Sequence, residues 1–75
     1  MEKYKNLKGD SGVELYEIGS DFIIIQFKND GRYLYNHHVP GATNVEQMKK
    51  LAIKGRGLST YISKNIKKRY AEKIN

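Results

Sequence analysis

Nine lysines and arginines in the second part of the chain are the residues that most clearly indicate a binding chemistry. Residues 47–75 carry these nine cations against one glutamate, whereas residues 1–46 carry five cations against seven carboxylates. The formal charge is therefore +8 in the second part and −2 in the first, and +6 overall. Such asymmetry is typical of a surface that meets a polyanion, although a solubilising lysine-rich helix has the same composition. The cations that we expect to contact phosphates are Lys49, Lys50, Lys54, Arg56, Lys64, Lys67 and Lys68.

Tyr33 and Tyr35 are candidates for a second kind of contact, because alternate residues of a strand project from the same face. Paired aromatic side chains on a sheet are the surface on which RNA-recognition folds stack unpaired bases. The alternative is that both rings pack beneath the helices as cross-strand partners of Ile25 and Phe27. That face is the most apolar one of the predicted sheet, so the pattern favours the core role.

The loop Lys54-Gly55-Arg56-Gly57 joins two predicted helices and combines two cations with two glycines. Such a loop before a helix start can bind a phosphate through backbone N–H groups and the helix dipole. The sequence lacks the Gly-Lys-Ser/Thr of a P-loop and the loop does not follow a strand, which excludes that nucleotide-binding motif. A helix stop with left-handed glycines is the alternative, and the two interpretations are compatible.

The acidic and histidine residues form no pattern expected of an active site or a metal site. Glu14 and Glu17 are three residues apart on a predicted strand, so they face opposite sides. His37 and His38 are adjacent and also point apart, so they cannot readily chelate one ion. The chain has no cysteine, which excludes a disulfide scaffold, a thiolate zinc site and thiol catalysis. We therefore expect no enzymatic activity, no cofactor and no metal.

Two further features bear on where the protein works. The longest apolar run, Phe22–Ile25, is far shorter than the roughly 20 residues that span a bilayer. Residues 1–10 have lysines but no apolar stretch of the kind found in a signal peptide. We expect a cytoplasmic protein that does not bind membranes.

The elements that must position these residues fit into one small domain, because 75 residues can bury only a modest core. Residues 1–11 are predicted to be a flexible tail that docks through Tyr4 or Leu7, and residues 12–75 the domain itself. Runs rich in β-branched and aromatic residues predict strands at 13–18, 22–28 and 32–37. Two helices follow. The predicted fold is α+β, a three-stranded antiparallel β-meander followed by two α-helices (β-β-β-α-α) packed on one face.

The segment Asn29-Asp30-Gly31 predicts a hairpin in one of two registers. A two-residue turn would pair Phe27 with Leu34, whereas a three-residue loop with Gly31 left-handed would pair Phe27 with Tyr33. The three-residue loop is preferred because it alone places all the large apolar residues on one face. These residues are Ile23, Ile25, Phe27, Tyr33 and Tyr35.

Both helices have recognisable starts. Thr43 and Glu46 form a capping-box pattern, and Gly55 or Gly57 is expected to end the first helix. Ser59 is expected to cap the second helix. The predicted apolar stripe of the first helix consists of Val45, Met48, Leu51 and Ala52, with Lys49, Lys50 and Lys54 facing out. That of the second consists of Leu58, Ile62, Ile66 and Tyr70, with Lys64, Lys67 and Lys68 opposite and a last turn that frays or projects.

Three motifs in order carry a resemblance to a known family. The third strand contains Tyr33-Leu34-Tyr35, Val39-Pro40 follows it, and the segment 54–62 begins Lys-Gly and ends in Ile. In this order and spacing, residues 12–70 resemble the KTSC domain, a module found alone in bacterial and phage proteins and appended to some lysyl-tRNA synthetases. The family pattern is two strands, a third strand with Tyr-x-Tyr followed by Val-Pro, a helix, then Lys-Gly-x-x-Phe-Asn-x-x-Ile.

This chain departs from that pattern at Leu58, where the family has Phe, and at Ser59, where it has Asn. Both departures keep the physical role, an apolar anchor and a helix-capping side chain. A helix that runs on to Ile74 would be longer than the family pattern implies. The resemblance implies a stand-alone bacterial or phage member of a family without an established activity, for which RNA binding has been suggested.

The sequence therefore predicts a small non-enzymatic binding module that contacts the backbone of RNA or DNA, with RNA preferred, through a basic C-terminal helical surface. Contacts of lysine and arginine with phosphates would give little sequence readout. The alternative is a protein-interaction or accessory module in which the first or third predicted strand offers a free sheet edge to a partner. Self-association is a third possibility, because the core is small.

Overall fold

Three six-residue strands form the centre of the sheet, and their β-branched and aromatic residues suit a pleated, half-buried surface. They are β2 (Val13–Ile18), β3 (Phe22–Phe27) and β4 (Gly31–Asn36). In the computed structural model, which describes residues 1–74, a two-residue strand lies at each edge, β1 (Glu2–Lys3) and β5 (Glu72–Lys73). The spatial order is β1-β2-β3-β4-β5, and every neighbouring pair is antiparallel.

Helices cover one face of this sheet and enclose the core. They are α1 (Ala42–Lys54) and α2 (Leu58–Tyr61), and a π-helical stretch, Ile62–Ile66, continues α2. The predicted apolar stripes of both helices face the sheet, with Leu51 and Tyr70 only partly buried. The buried apolar residues are Tyr4, Val13, Ile23, Ile25, Tyr35, Val45, Met48, Ala52, Leu58, Ile62 and Ile66. The predicted α+β class, with an antiparallel sheet and two helices, is confirmed.

The prediction of three strands is wrong, because both ends of the chain add a strand. Residues 1–11 were expected to form a tail, yet β1 pairs with β2 and the Tyr4 amide donates to the Glu14 carbonyl at 2.9 Å. The Tyr4 ring is 3% exposed, and its hydroxyl accepts a hydrogen bond from the Leu58 amide at 3.3 Å. The segment thus docks through Tyr4, whereas the Leu7 side chain is 64% exposed.

The C-terminal end reverses direction instead of continuing as a helix. Helical structure ends at Ile66, and the chain returns to pair β5 with β4. The Ala71 amide donates to the Leu34 carbonyl at 2.7 Å, and the Ile74 amide to the Arg32 carbonyl at 2.9 Å. A longer helix would have pointed charged residues toward the core, whereas the reversal satisfies the otherwise open edge of β4.

The β3–β4 hairpin has a three-residue loop, but its register differs from the predicted one by two residues. Phe27 pairs with Gly31, not with Tyr33, and Ile25 pairs with Tyr33. Asn29 and Gly31 both have positive φ, at 62° and 101°, and the loop consists of residues 28–30, so it closes earlier in the sequence than the predicted loop that contains Gly31. Because side chains alternate with period two, a shift of two residues keeps the predicted residues on one face.

The predicted N-terminal caps are also wrong. Gly41 and Gly57 precede the two helices, and within residues 1–74 no side-chain hydrogen bond caps either of them. Thr43 and Ser59 are each the second residue of their helix, two positions past the capping glycine and too late to act as caps. Gly55 ends α1 in the left-handed conformation, at φ 84° and ψ 17°, as predicted.

Candidate nucleic-acid interface

Six of the seven predicted phosphate-contacting cations are exposed, and they take part in no ion pair among the described residues. They come from the outer surface of α1, the loop after it, the π-helical stretch and the turn that follows. Residues 47–71 contain no Asp or Glu, so Glu46, near the start of α1, is the one carboxylate side chain within residues 42–71. The six are Lys50, Lys54, Arg56, Lys64, Lys67 and Lys68.

Lys49 is the exception, because the structure buries it. Its Nζ donates to the Ser20 carbonyl at 3.0 Å and lies 2.8 Å from Glu46 Oε2. Lys49 was expected to face solvent, but it is one turn from both Val45 and Ala52 and therefore borders the apolar stripe. Its stem packs in the core while the ammonium group ties α1 to the turn between β2 and β3. Lys49 is therefore a structural residue rather than a phosphate contact.

Glu46 connects this contact to the end of β4. His37 Nε2 lies 2.9 Å from the same Oε2 atom that Lys49 approaches. Hydrogen bonds from Lys49 and then His37 lower the pKa of the Glu46 carboxyl below its usual value. His38 is exposed and does not join this group. Within residues 1–74, no group of three His, Asp or Glu side chains is arranged to hold a metal ion.

The two tyrosines of β4 have different environments. Tyr35 is 2% exposed and belongs to the core, so the predicted core role is confirmed for it. Burial raises the pKa of the Tyr35 hydroxyl far above its usual value, and Tyr33 and Tyr70 raise it further. Tyr33 is partly exposed, and its hydroxyl donates to Asp30 Oδ1 at 3.1 Å. Tyr33 is therefore the more accessible of the two rings.

Tyr33 belongs to a cluster of three partly exposed rings. Its ring centroid lies 5.6 Å from that of Phe27, edge to face, and 4.7 Å from that of Tyr70 in a tilted arrangement. Lys73 Nζ lies 5.5 Å from the Tyr33 centroid, within cation–π range. Sequence reasoning missed Tyr70 and Lys73 as site residues because the reversal that brings residues 70–73 to β4 leaves no periodic signal, and it assigned Phe27 to the core face of the sheet.

These rings line a groove of about 320 Å³ between the hairpin and the end of the helical layer. We call it the aromatic groove. Its lining joins apolar and aromatic side chains to two exposed lysines of the C-terminal turn. The lining residues are Phe27, Asp30, Tyr33, Tyr35, Ile62, Lys67, Lys68 and Tyr70.

The turn that carries the two lysines has an unusual backbone. Lys67 has φ 55° and ψ −120°, and the Arg69 amide donates to the Ile66 carbonyl at 3.0 Å. These values describe the first central position of a type II′ turn, which glycine normally occupies. For a residue with a Cβ, this conformation lowers the stability of the folded state by about 1–3 kcal/mol. Lys67 is therefore strained by the turn that places it beside the aromatic groove.

The glycine-rich loop is packed against the N-terminal segment. Gly57 has φ 84°, like Gly55, and the Leu7 amide donates to the Gly55 carbonyl at 2.8 Å. A Cβ on Gly55 would lie 2.7 Å from Lys5 Cβ, so this close approach requires glycine. The predicted helix stop is confirmed. A phosphate bound at this loop, beside the exposed Arg56, stays a prediction.

Comparison of the chain with protein-family models, with curated proteins and with solved structures finds no match. The resemblance of residues 12–70 to the KTSC domain therefore stays a prediction that depends on the motif residues alone. In residues 1–74, no helix combines the length and the apolar character that crossing a bilayer requires.

Proposed function

We propose that this chain is a small non-enzymatic binding module that contacts the phosphate backbone of RNA through its helical layer. The observation that carries the proposal is the set of six exposed cations that lack ion-pair partners within residues 1–74. Exposed cations of this kind raise the affinity of a protein for a nucleic acid, because their binding releases counterions condensed on the phosphates. The resemblance to the KTSC domain favours RNA over DNA.

The distribution of carboxylates supports the same surface. Glu46 is the one glutamate on α1. Its carboxylate already lies against Lys49 and His37, so it does not neutralise the exposed cations. Most of the remaining carboxylates are on the strands and their connecting loops. A polyanion approaching the helices would therefore meet cations with little local repulsion.

The alternative function, strand addition by a protein partner, has less support. The strands predicted to offer free edges are β2 and β4, and β1 and β5 pair with them. The outer edges are only two residues long and carry Lys3 and Lys73. Short edge strands with lysines are a common means of preventing further pairing.

Fluorescence anisotropy with a labelled RNA at several salt concentrations tests the proposal. If about five phosphates of a single strand are neutralised, log K should fall against log salt with a slope of about −3.5. Replacing Lys50, Lys54 and Lys64 together by Gln should weaken binding to unrelated sequences alike and flatten the slope by about 0.7 per contact.

The matched control is the triple replacement of Lys3, Lys28 and Arg32 by Gln, which changes the net charge equally outside the helical layer. It should leave the slope nearly unchanged. Equal weakening by both triple variants would mean that net charge, not this surface, attracts the RNA. Absence of binding at low salt would contradict the proposal.

A further inference from the structure

We infer that the aromatic groove accepts one unpaired base of the bound strand while Lys67 and Lys68 contact its phosphates. The inference rests on the proposed function and deepens it, because it specifies a single strand rather than a duplex. Backbone contacts alone do not distinguish the two forms, whereas a base can enter a groove only when it is not paired.

The shape and composition of the groove support a nucleoside-sized occupant. Its volume of about 320 Å³ lies at the lower end of the range for small-ligand sites, about 300–1,000 Å³. Tyr33 and Tyr70 lie with their centroids 4.7 Å apart, and both rings are partly exposed. Aromatic side chains of this kind stack on bases without sequence preference, since every base has a π-face.

The charge around the groove matches a nucleotide as well. Lys67, Lys68 and Lys73 lie at or beside it, and within residues 1–74 Asp30 is the one carboxylate in its lining. Asp30 accepts a hydrogen bond from Tyr33 at 3.1 Å and lies 4.0 Å from Lys73 Nζ, so its charge is partly offset. A ligand with a flat apolar part and an adjacent negative charge therefore fits better than an acidic peptide without such a ring.

The strained conformation of Lys67 is an independent observation that points to the same site. Glycine would form the type II′ turn without the steric cost, but it would place no cation beside the groove. Non-glycine residues held in such conformations are concentrated at ligand-binding positions. The turn thus holds a lysine at a position where glycine would give a more stable fold.

The test compares a short labelled oligouridylate with an abasic oligomer of the same length and the same phosphates, both bound to the wild-type protein. If one base stacks in the aromatic groove, the abasic oligomer should bind about fivefold more weakly or worse. Its salt dependence should be the same, because the phosphates are unchanged.

Two variants locate the effect. Tyr70→Leu should abolish the difference between the two oligomers, whereas Tyr16→Leu should preserve it. Tyr16 is the matched control because it is also partly buried, but it lines a different groove with Ile18 and Ile53. Circular dichroism checks that both variants fold. If Tyr70→Leu does not fold, the comparison of the two oligomers on the wild-type protein still decides whether a base contributes to binding.

Equal affinity of the wild-type protein for both oligomers, with steep salt dependence, would overturn the base site and leave the proposed function intact. No binding of either oligomer at low salt would overturn both. Tighter binding of a duplex than of the oligouridylate would also overturn the base site.

Discussion

Replacing Lys67 by glycine should stabilise the protein, although it removes a charged side chain and adds a flexible residue. Lys67 has φ 55° and ψ −120°, a conformation that costs a residue with a Cβ about 1–3 kcal/mol. Glycine avoids this cost but loses about 0.5–1 kcal/mol through the greater freedom of the unfolded chain. The net gain should be about 1 kcal/mol, and at most about 2.5 kcal/mol. For a domain of this size, each kcal/mol raises Tm by about 4–8 °C.

Thermal and urea unfolding followed by circular dichroism measures this difference. Lys68→Gly is the matched control, because Lys68 is the next residue of the same turn and has no positive φ. It should lower the stability by up to about 1 kcal/mol. Lys67→Gln, which removes only the charge, should change the stability little. In urea, the midpoint should move with an unchanged m-value, since the surface exposed on unfolding is the same.

The reasoning would be refuted if Lys67→Gly destabilised the protein as much as Lys68→Gly does. The turn would then carry no strain at Lys67, and the backbone argument for a binding role of that residue would be lost. A stabilised Lys67→Gly variant that also binds RNA more weakly would connect the strain directly to binding.

Three further perturbations test the core and the titrating groups. Ile25→Ala should lower the free energy of unfolding in urea by about 2–5 kcal/mol, since Ile25 is fully buried. Ile24→Ala, on the sheet face without helices, should lower it less, and equal losses would contradict the assignment of faces. Because the pKa of the Glu46 carboxyl is lowered in the folded protein, this carboxylate stabilises the fold above its ordinary pKa of 4.5, and the stabilisation is lost as the pH falls below that value. Glu46→Gln should therefore flatten the acid limb of a profile of unfolding free energy against pH. The raised pKa of the Tyr35 hydroxyl has the opposite consequence. The stability that depends on its neutral form is present below its ordinary pKa of 10.0 and is lost as the pH rises above that value, so Tyr35→Phe should flatten the alkaline limb of the same profile.

The parts of the fold that sequence reasoning predicted correctly are those with a periodic signal. Alternation along β3 and β4 identifies Ile23, Ile25 and Tyr35 as core residues, and the helical stripe identifies Val45 and Met48. Register errors of two residues leave such face assignments unchanged, because the period of a strand is two. The exact pairing depends instead on where the loop closes, and Asn29 and Gly31 both have positive φ there, at 62° and 101°, so the sequence does not show which of them lies inside the loop.

The edge strands could not be predicted in the same way. Glu2–Lys3 and Glu72–Lys73 are both Glu-Lys pairs, too short to show alternation, and they are held by backbone hydrogen bonds that any sequence can make. Lys49 illustrates a related difficulty. Its position at the border of the helical stripe allows burial or exposure, and the choice depends on the Ser20 carbonyl and Glu46, which the fold brings within reach.

The turn at residues 66–69 explains why the candidate site was the least predictable part of the molecule. A helix continued past Ile66 would have aligned Arg69 and Lys73 with the buried stripe, so burial favours ending it there. The reversal that follows pairs β5 with β4 and brings Tyr70 against Tyr33, 4.7 Å away. The pairing of β5 with β4 thus also forms the aromatic groove, and the turn that allows it holds Lys67 in a strained backbone conformation. Because one turn has both effects, variants that relax it should separate them: stability should rise while affinity for the RNA falls.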